Sequence, residues 1–315
     1  MRPVLLPCFL LALISVPLSA CAPRMGSPNL SAAAPVATWP SPLTPRPPGS
    51  PDVLLLSISG RCPPPCLNAP DDNTEYLARR GVVQALTRTL QDAGLSVQSS
   101  TAAAHLTLHR PHGSTEDVPG FLQVEAQLTT AYQRWMVGRR NPTRIVLLAH
   151  SHGVVWTHAL ARAHPEILVA ALIDLDGLCD VWERDNARII QAYVRQLGHN
   201  PWPFNLADSC GSVMAGHLRY DLKDVVTDNV ERNLEVESQR FAGRSTEPLI
   251  GPYGANYAFD LVRNVRTDGS RRGIQTFVAS TQNHSQVTQT DGPALRWVQL
   301  QLAALARGWA TPPAP

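Results

Sequence analysis

Length, composition and charge exclude several classes of protein. The chain has 315 residues, of which 44% are hydrophobic, so it can fill a sizeable core and is not disordered as a whole. Its formal net charge is +2 and no basic block occurs, so nucleic acid is not an expected partner.

The N-terminus has the order of an export signal. Arg2 supplies a positive charge, residues 4–18 are mostly apolar, and small residues then lead to Cys21. The apolar run is too short and too often broken by proline to span a membrane. The letters LSAC, which end at Cys21, resemble the lipobox of bacterial lipoproteins. This resemblance implies that residues 1–20 are a signal peptide and that an acylated Cys21 anchors the chain to a membrane on its extracytoplasmic side. A plain secretory signal and a chance apolar start are the alternatives.

Residues 21–50 are rich in Pro, Ser and Ala and carry hardly any charge. Such a segment cannot bury enough surface to offset the entropy of ordering, so we interpret it as a semi-extended tether. The folded domain is then expected over residues 51–310, followed by a short tail at 311–315.

Beyond the tether, predicted strands and helices alternate along the chain. A continuous apolar run at 52–57 predicts a strand that is buried on both faces. Helical spacing of apolar residues, with a glycine after the last one, predicts a helix over 74–93. The same criteria predict strands at 95–99, 144–149, 168–175 and 273–280, renewed periodicity at 233–241, and helices at 121–136, 153–163 and 293–307. This alternation is typical of an α/β fold with a mainly parallel sheet covered by helices on both faces.

Residues 180–220 interrupt this order with an irregular pattern that contains Trp182, Trp202 and Phe204. We interpret the segment as an insertion over the sheet that forms a lid or an acyl pocket. A well-packed insertion that serves stability is an equal alternative, because aromatic side chains dominate hydrophobic cores.

The segment AHSHG stands where the strand at 144–149 gives way to a helix. Ala149 and Gly153 are small residues two positions before and after Ser151, as a sharp strand-to-helix turn requires. The pattern resembles the nucleophile elbow, GxSxG in its common form. A serine that caps an ordinary helix is one alternative. A metal site at His150 and His152 is less favoured, because alternate residues at a sharp turn point apart, and no metal is expected.

A serine nucleophile needs a base and an acid to orient that base. His284 follows the late strand at 273–280, and the carboxyl ends of parallel strands share one edge of the sheet. Asp176 closes the run at 168–175 and gives the chain order Ser, Asp, His. The alternative acids are Asp174, which lies inside the strand, and the later Glu237 and Asp260.

Acyl transfer also requires hydrogen-bond donors for the oxyanion. The backbone N–H of His152, the residue after the serine, is the first predicted donor. The second is expected in the loop after the first strand, at Gly60 or Arg61.

Four cysteines remain in the expected folded domain, and disulfides are the default interpretation in an exported chain. Cys62 and Cys66 flank a Pro-Pro-Pro turn, which favours a local pair and leaves Cys179 with Cys210. A zinc site at the CxxxC spacing is the rival interpretation.

The elbow, the acid after the next strand and the late histidine together resemble the lipase and esterase members of the α/β-hydrolase superfamily. The resemblance implies hydrolysis of an ester, thioester or amide through an acyl-enzyme on Ser151, with no cofactor. Ala149 in place of the first glycine, the absence of an HGGG motif and the choice among several acids are departures from the family pattern. The hypothesis is therefore a membrane-tethered extracytoplasmic serine hydrolase that acts on a small-molecule or lipid carboxylic ester.

Two other classes of protein stay open at this point. A surface-anchored binding or structural lipoprotein could keep the fold without the chemistry. A peptidase or acyltransferase would use the same three side chains, and the sequence does not name the substrate.

Overall fold

The computed structural model describes residues 43–62, 69–238 and 262–310. All of these belong to Ala34–Pro315, the second of two compact units of the chain. The predicted signal peptide, Cys21 and the greater part of the tether lie outside the described residues, as do Cys66, Asp260 and the tail at 311–315.

Six parallel strands form the central sheet. The strands of the described residues are Val53–Ile58 (β1), Val97–Ala102 (β2), Arg144–His150 (β3), Val169–Leu175 (β4), Ser212–Ala215 (β5), Leu218–Asp221 (β6), Val225–Val226 (β7), Asn233–Ser238 (β8), Val265–Arg266 (β9) and Ile274–Ala279 (β10). The order across the central sheet is β10-β8-β4-β3-β1-β2, and each pair of neighbours is parallel. Small two-stranded sheets pair β5 with β6 and β7 with β9.

Helices connect the central strands. They are Tyr76–Arg79 (α1), Val82–Asp92 (α2), Phe121–Ala131 (α3), His152–Ala163 (α4), Trp182–Leu197 (α5) and Pro293–Ala310 (α6). The predicted single helix over 74–93 is wrong, because Gly81 adopts a φ of +78° and separates α1 from α2.

Two hydrophobic cores lie on opposite faces of the sheet. Alternate residues of β1 point to opposite faces, as the strand repeat requires, so Leu54 and Leu56 enter one core and Val53 and Leu55 enter the other. Residues of α3, α4 and α5 complete the first core, and residues of α1, α2 and α6 complete the second. The predicted α/β architecture, a mainly parallel sheet covered by helices on both faces, is confirmed.

Residues 180–220 are more regular than the sequence analysis expects. The 16-residue helix α5 and the hairpin of β5 and β6 occupy most of the segment. Trp182 and Ile190 of α5 are fully buried, so an amphipathic helix is present where an irregular pattern was predicted. The segment does lie outside the central sheet.

Candidate active site

Ser151 occupies a strained turn between β3 and α4. Its φ of 56° and ψ of −129° lie in a region that L-residues rarely adopt. Two glycines permit the turn: a Cβ on Gly153 would lie 2.1 Å from the carbonyl oxygen of Ile58, and one on Gly60 would lie 2.6 Å from the Cβ of Ser151. Ser151 as a whole residue is 4% exposed.

His284 and Asp176, predicted as base and acid, are in direct contact. The Nδ1–H of His284 donates to Oδ2 of Asp176 over 2.6 Å. Asp176 follows β4 with a φ of 54°, and it accepts two further hydrogen bonds from Ser238, which ends β8. The backbone N–H and the hydroxyl of Ser238 each donate to the carboxylate over 2.7 Å.

The Asp176 carboxylate is charged although it is almost completely buried. Burial alone would raise its pKa, but the hydrogen bond and charge of His284 and the two bonds from Ser238 outweigh that effect and hold the pKa below its ordinary value. An ionised Asp176 that fixes the proton of His284 on Nδ1 leaves Nε2 of the ring as a proton acceptor.

The alternative acids have other partners. Asp174 accepts hydrogen bonds from His158 over 2.9 Å and from Asn233 and Asn264 over 2.6 and 2.9 Å. It therefore belongs to a buried polar network within the sheet. Glu237 lies 3.4 Å from Arg263.

His150 contacts the loop that carries His284. Its Nε2–H donates to the carbonyl oxygen of His284 over 2.8 Å, and the centroids of the two imidazole rings are 4.5 Å apart. Its Nδ1 accepts a hydrogen bond from the hydroxyl of Tyr76. Because His150 directly precedes Ser151, this contact between two tilted rings puts the ring of His284 beside the elbow.

The predicted oxyanion donors also lie at the elbow. The backbone N–H of His152 is the first of α4 and has no acceptor within the helix. Gly60 packs against Ser151, as its close approach shows. The guanidinium of Arg61 pairs with Asp185 of α5 over 2.6 Å, so only the backbone N–H of Arg61 is a candidate donor.

The rings of His150 and His152 do not share a metal-like arrangement. The Nε2–H of His152 donates to the carbonyl oxygen of Asp180 over 2.6 Å, whereas His150 bonds to His284. Burial lowers the pKa of His152 to about 4, so the ring is neutral. Within the described residues, no group of three or more His, Cys, Asp or Glu side chains has the geometry of a metal site.

The predicted bond between Cys179 and Cys210 is confirmed, with a Cα–Cα distance of 5.7 Å. It ties the start of α5 to the residues before β5. Cys62 is also in a disulfide, and Cys66, its predicted partner, lies outside the described residues.

Sequence reasoning missed several residues that hold the candidate base and acid. Ser238 ends a strand at the same edge as Asp176, so the rule that selected the acid could have indicated it. Tyr76 gave no signal, since nothing in the sequence relates it to a histidine 74 positions later.

Comparisons with known proteins find distant likenesses only. No family model and no curated protein sequence matches the chain. Among solved structures, it is similar to an esterase domain from Rhodothermus marinus, with 16% identity, coverage of 85% of this chain and 92% of that one, and a TM-score of 0.38. It is also similar to an esterase from Pyrococcus furiosus (9% identity, 84% and 83% coverage, TM-score 0.41) and to ferulic-acid-bound Est1E from Butyrivibrio proteoclasticus (15% identity, 82% and 93% coverage, TM-score 0.35). Likenesses of this degree assign neither a family nor an activity to the chain.

Proposed function

We propose that the protein is a serine hydrolase that cleaves a carboxylic ester through an acyl-enzyme on Ser151. The observation that carries the proposal is the arrangement of Ser151, His284 and Asp176 at the elbow. Ser151 adopts a strained conformation after β3, and the ring of His284 lies beside its neighbour His150 while bonded to Asp176. A serine, a histidine and a carboxylate in these roles define nucleophilic acyl transfer.

The reaction would proceed in two steps. Nε2 of His284 takes the hydroxyl proton as Oγ of Ser151 attacks the ester carbonyl, and Asp176 stabilises the resulting imidazolium. The backbone N–H of His152 and one from Gly60 or Arg61 stabilise the oxyanion. The carbon–oxygen bond then breaks, and the imidazolium gives its proton to the leaving alcohol. Water, activated by the same histidine, attacks the acyl-enzyme and releases the acid and free Ser151.

The test is hydrolysis of p-nitrophenyl esters of several acyl chain lengths by the full chain, beside Ser151→Ala and His284→Ala. Each substitution removes one member of a unit that acts together, so kcat should fall by about three orders of magnitude or more. Labelling of Ser151 by a serine-reactive phosphonate is measured in parallel. A folded parent that neither turns over esters nor reacts with the phosphonate would favour the non-catalytic lipoprotein.

We further propose that the protein is exported and anchored by lipid on Cys21. The disulfide between Cys179 and Cys210 supports export, because such bonds persist in oxidising compartments. Among the described residues, none of the helices combines the length and apolar character that a membrane crossing requires. Incorporation of a labelled fatty acid should be lost in Cys21→Ala and kept in Cys8→Ala; equal labelling of both variants would contradict the anchor.

A further inference from the structure

The loop that carries His284 is held by two side chains from elsewhere in the fold, His150 and Arg80, and Tyr76 contacts both of them. His150, at the end of β3, donates to the carbonyl oxygen of His284. Arg80, next to α1, donates to the carbonyl oxygen of Ser285 over 2.7 Å and to the hydroxyl of Thr288. The guanidinium of Arg80 also lies over the ring of Tyr76, 5.8 Å from its centroid. None of these contacts involves a reacting atom, so they bear on the position of the base.

The hydrogen bonds of His150 fix its tautomer. A carbonyl oxygen can only accept, so the proton of His150 must be on Nε2, which faces the carbonyl of His284. Nδ1 is then an acceptor, and the hydroxyl of Tyr76 donates to it. Burial, together with the charge of His284, lowers the pKa of His150 to about 3. The ring is therefore neutral with a single orientation.

We infer that His150 is a positioning residue for the candidate base: held by Tyr76, it fixes the main chain at His284 so that the imidazole stays between Asp176 and Ser151. This inference rests on the proposed function. A displacement of about 1 Å in a reacting group costs on the order of a hundredfold in rate, and the loop containing His284 has no regular helix or strand at that residue.

The neutrality of His150 matters for the step in which His284 takes the proton of Ser151. The titratable groups around it are Tyr76, His284, Asp176 and His152, and Asp176 supplies the negative charge among them. A positive His150, with its ring centroid 4.5 Å from that of His284, would oppose the imidazolium that forms when the base takes a proton. A neutral ring supports the loop without that repulsion.

Two substitutions of His150 separate its contacts. His150→Gln places an amide N–H near the position of Nε2 and keeps a donor for the carbonyl of His284. His150→Asn is shorter; it can accept from Tyr76 but does not reach that carbonyl. We expect kcat of His150→Asn to fall by about 10- to 100-fold with KM within about threefold, because the contact aligns the base without binding substrate. His150→Gln should stay within about fivefold of the parent.

Tyr76→Phe keeps the ring and removes the hydroxyl, so it tests the tautomer with little change in packing. We expect kcat to fall by about three- to tenfold, since His150 then loses its fixed donor direction. His199→Asn, at an exposed histidine, is the matched control and should leave kcat unchanged.

The full chain and all four variants are compared by ester hydrolysis, by the rate at which a phosphonate labels Ser151, and by thermal unfolding. The labelling rate gives the same comparison if the chosen esters are poor substrates, and expressing kcat per labelled site removes any unfolded fraction. An active parent with His150→Asn within threefold of its kcat per labelled site overturns the positioning role and leaves the proposed function standing. A parent that is inert and unlabelled overturns both.

Discussion

Gly153 is the residue on which the geometry of the elbow depends most directly. It is the second residue of α4, where alanine would ordinarily be the better helix former. A Cβ at this position would lie 2.1 Å and 2.8 Å from the carbonyl oxygens of Ile58 and Ser59. Ile58 is the last residue of β1 and Ser59 follows it. Their carbonyl oxygens are backbone atoms, so they cannot move aside without displacing β1.

We therefore expect Gly153→Ala to lower the free energy of unfolding by about 2–4 kcal/mol and to reduce the labelling of Ser151. Gly308→Ala in α6 is the control, because a Cβ there meets nothing within 4 Å, and it should raise stability by about 0.5–1 kcal/mol. Chemical denaturation measures both. A similar change in the two variants would contradict the crowding at the elbow.

The chain order and local pattern were sufficient to select Ser151 and His284 and to put Asp176 first among four candidate acids. Ser151 and Asp176 follow buried strands and His284 follows the edge strand β10, and the carboxyl ends of parallel strands meet at one edge of the sheet. The choice between Asp174 and Asp176 depends on side-chain direction. These two acids, two positions apart, were separable only once Asp174 was seen bonded to His158 and Asp176 to His284.

At the scale of elements, the segment after α5 packs on the core through Trp202. This side chain is 5% exposed, contacts the rings of Phe121 and Tyr193, and donates its indole N–H to Glu125 over 2.8 Å. Nearby, the guanidinium of Arg162 lies over the ring of Phe204. These contacts favour the packing alternative for the insertion over the acyl pocket.

Trp202→Ala should accordingly lower the free energy of unfolding by about 3–5 kcal/mol, because it leaves a cavity beside α3. Preference among acyl chain lengths should not change. Trp202→Phe keeps much of the packing and loses the bond to Glu125, so a cost of about 1 kcal/mol is expected. Altered chain-length preference with unchanged stability would instead support the pocket.

The positions where helices begin and end depended on single residues, which the spacing of apolar residues does not reveal. Gly81 divides the predicted helix because its positive φ cannot continue an α-helix. Helix α5 escaped prediction because the surrounding Trp, Pro and Phe residues suggested irregularity. Its buried Trp182 and Ile190 are eight positions apart, a helical spacing that could have been recognised.

For the molecule as a whole, a buried acid links stability to pH. Burial raises the pKa of Glu235 to about 7, with a further contribution from the charges of Glu237 and Asp174. Hydrogen bonds from Thr276 and the backbone of Asn264 oppose the shift without cancelling it.

The folded protein then holds a proton on Glu235 up to about pH 7, whereas the unfolded chain releases it near the ordinary value of 4.5. The folded state binds more protons between these values, so this group's contribution is full below pH 4.5 and is lost as pH rises through 7. Glu235→Gln should remove the part of the fall in unfolding free energy with rising pH that comes from this group. Denaturation of both proteins at several pH values tests this, and parallel stability curves would contradict it.

The sequence by itself determined the fold class, the position of the elbow at Ser151 and the choice of His284 as its base, because apolar periodicity and turn chemistry are local properties. Only the tertiary structure decided which acid holds His284, and that Arg80 and a His150 bonded to Tyr76 hold its loop. His284 and Asp176 are 108 positions apart. Contacts over such separations depend on the path of whole loops and on side-chain direction, which no short stretch of sequence encodes.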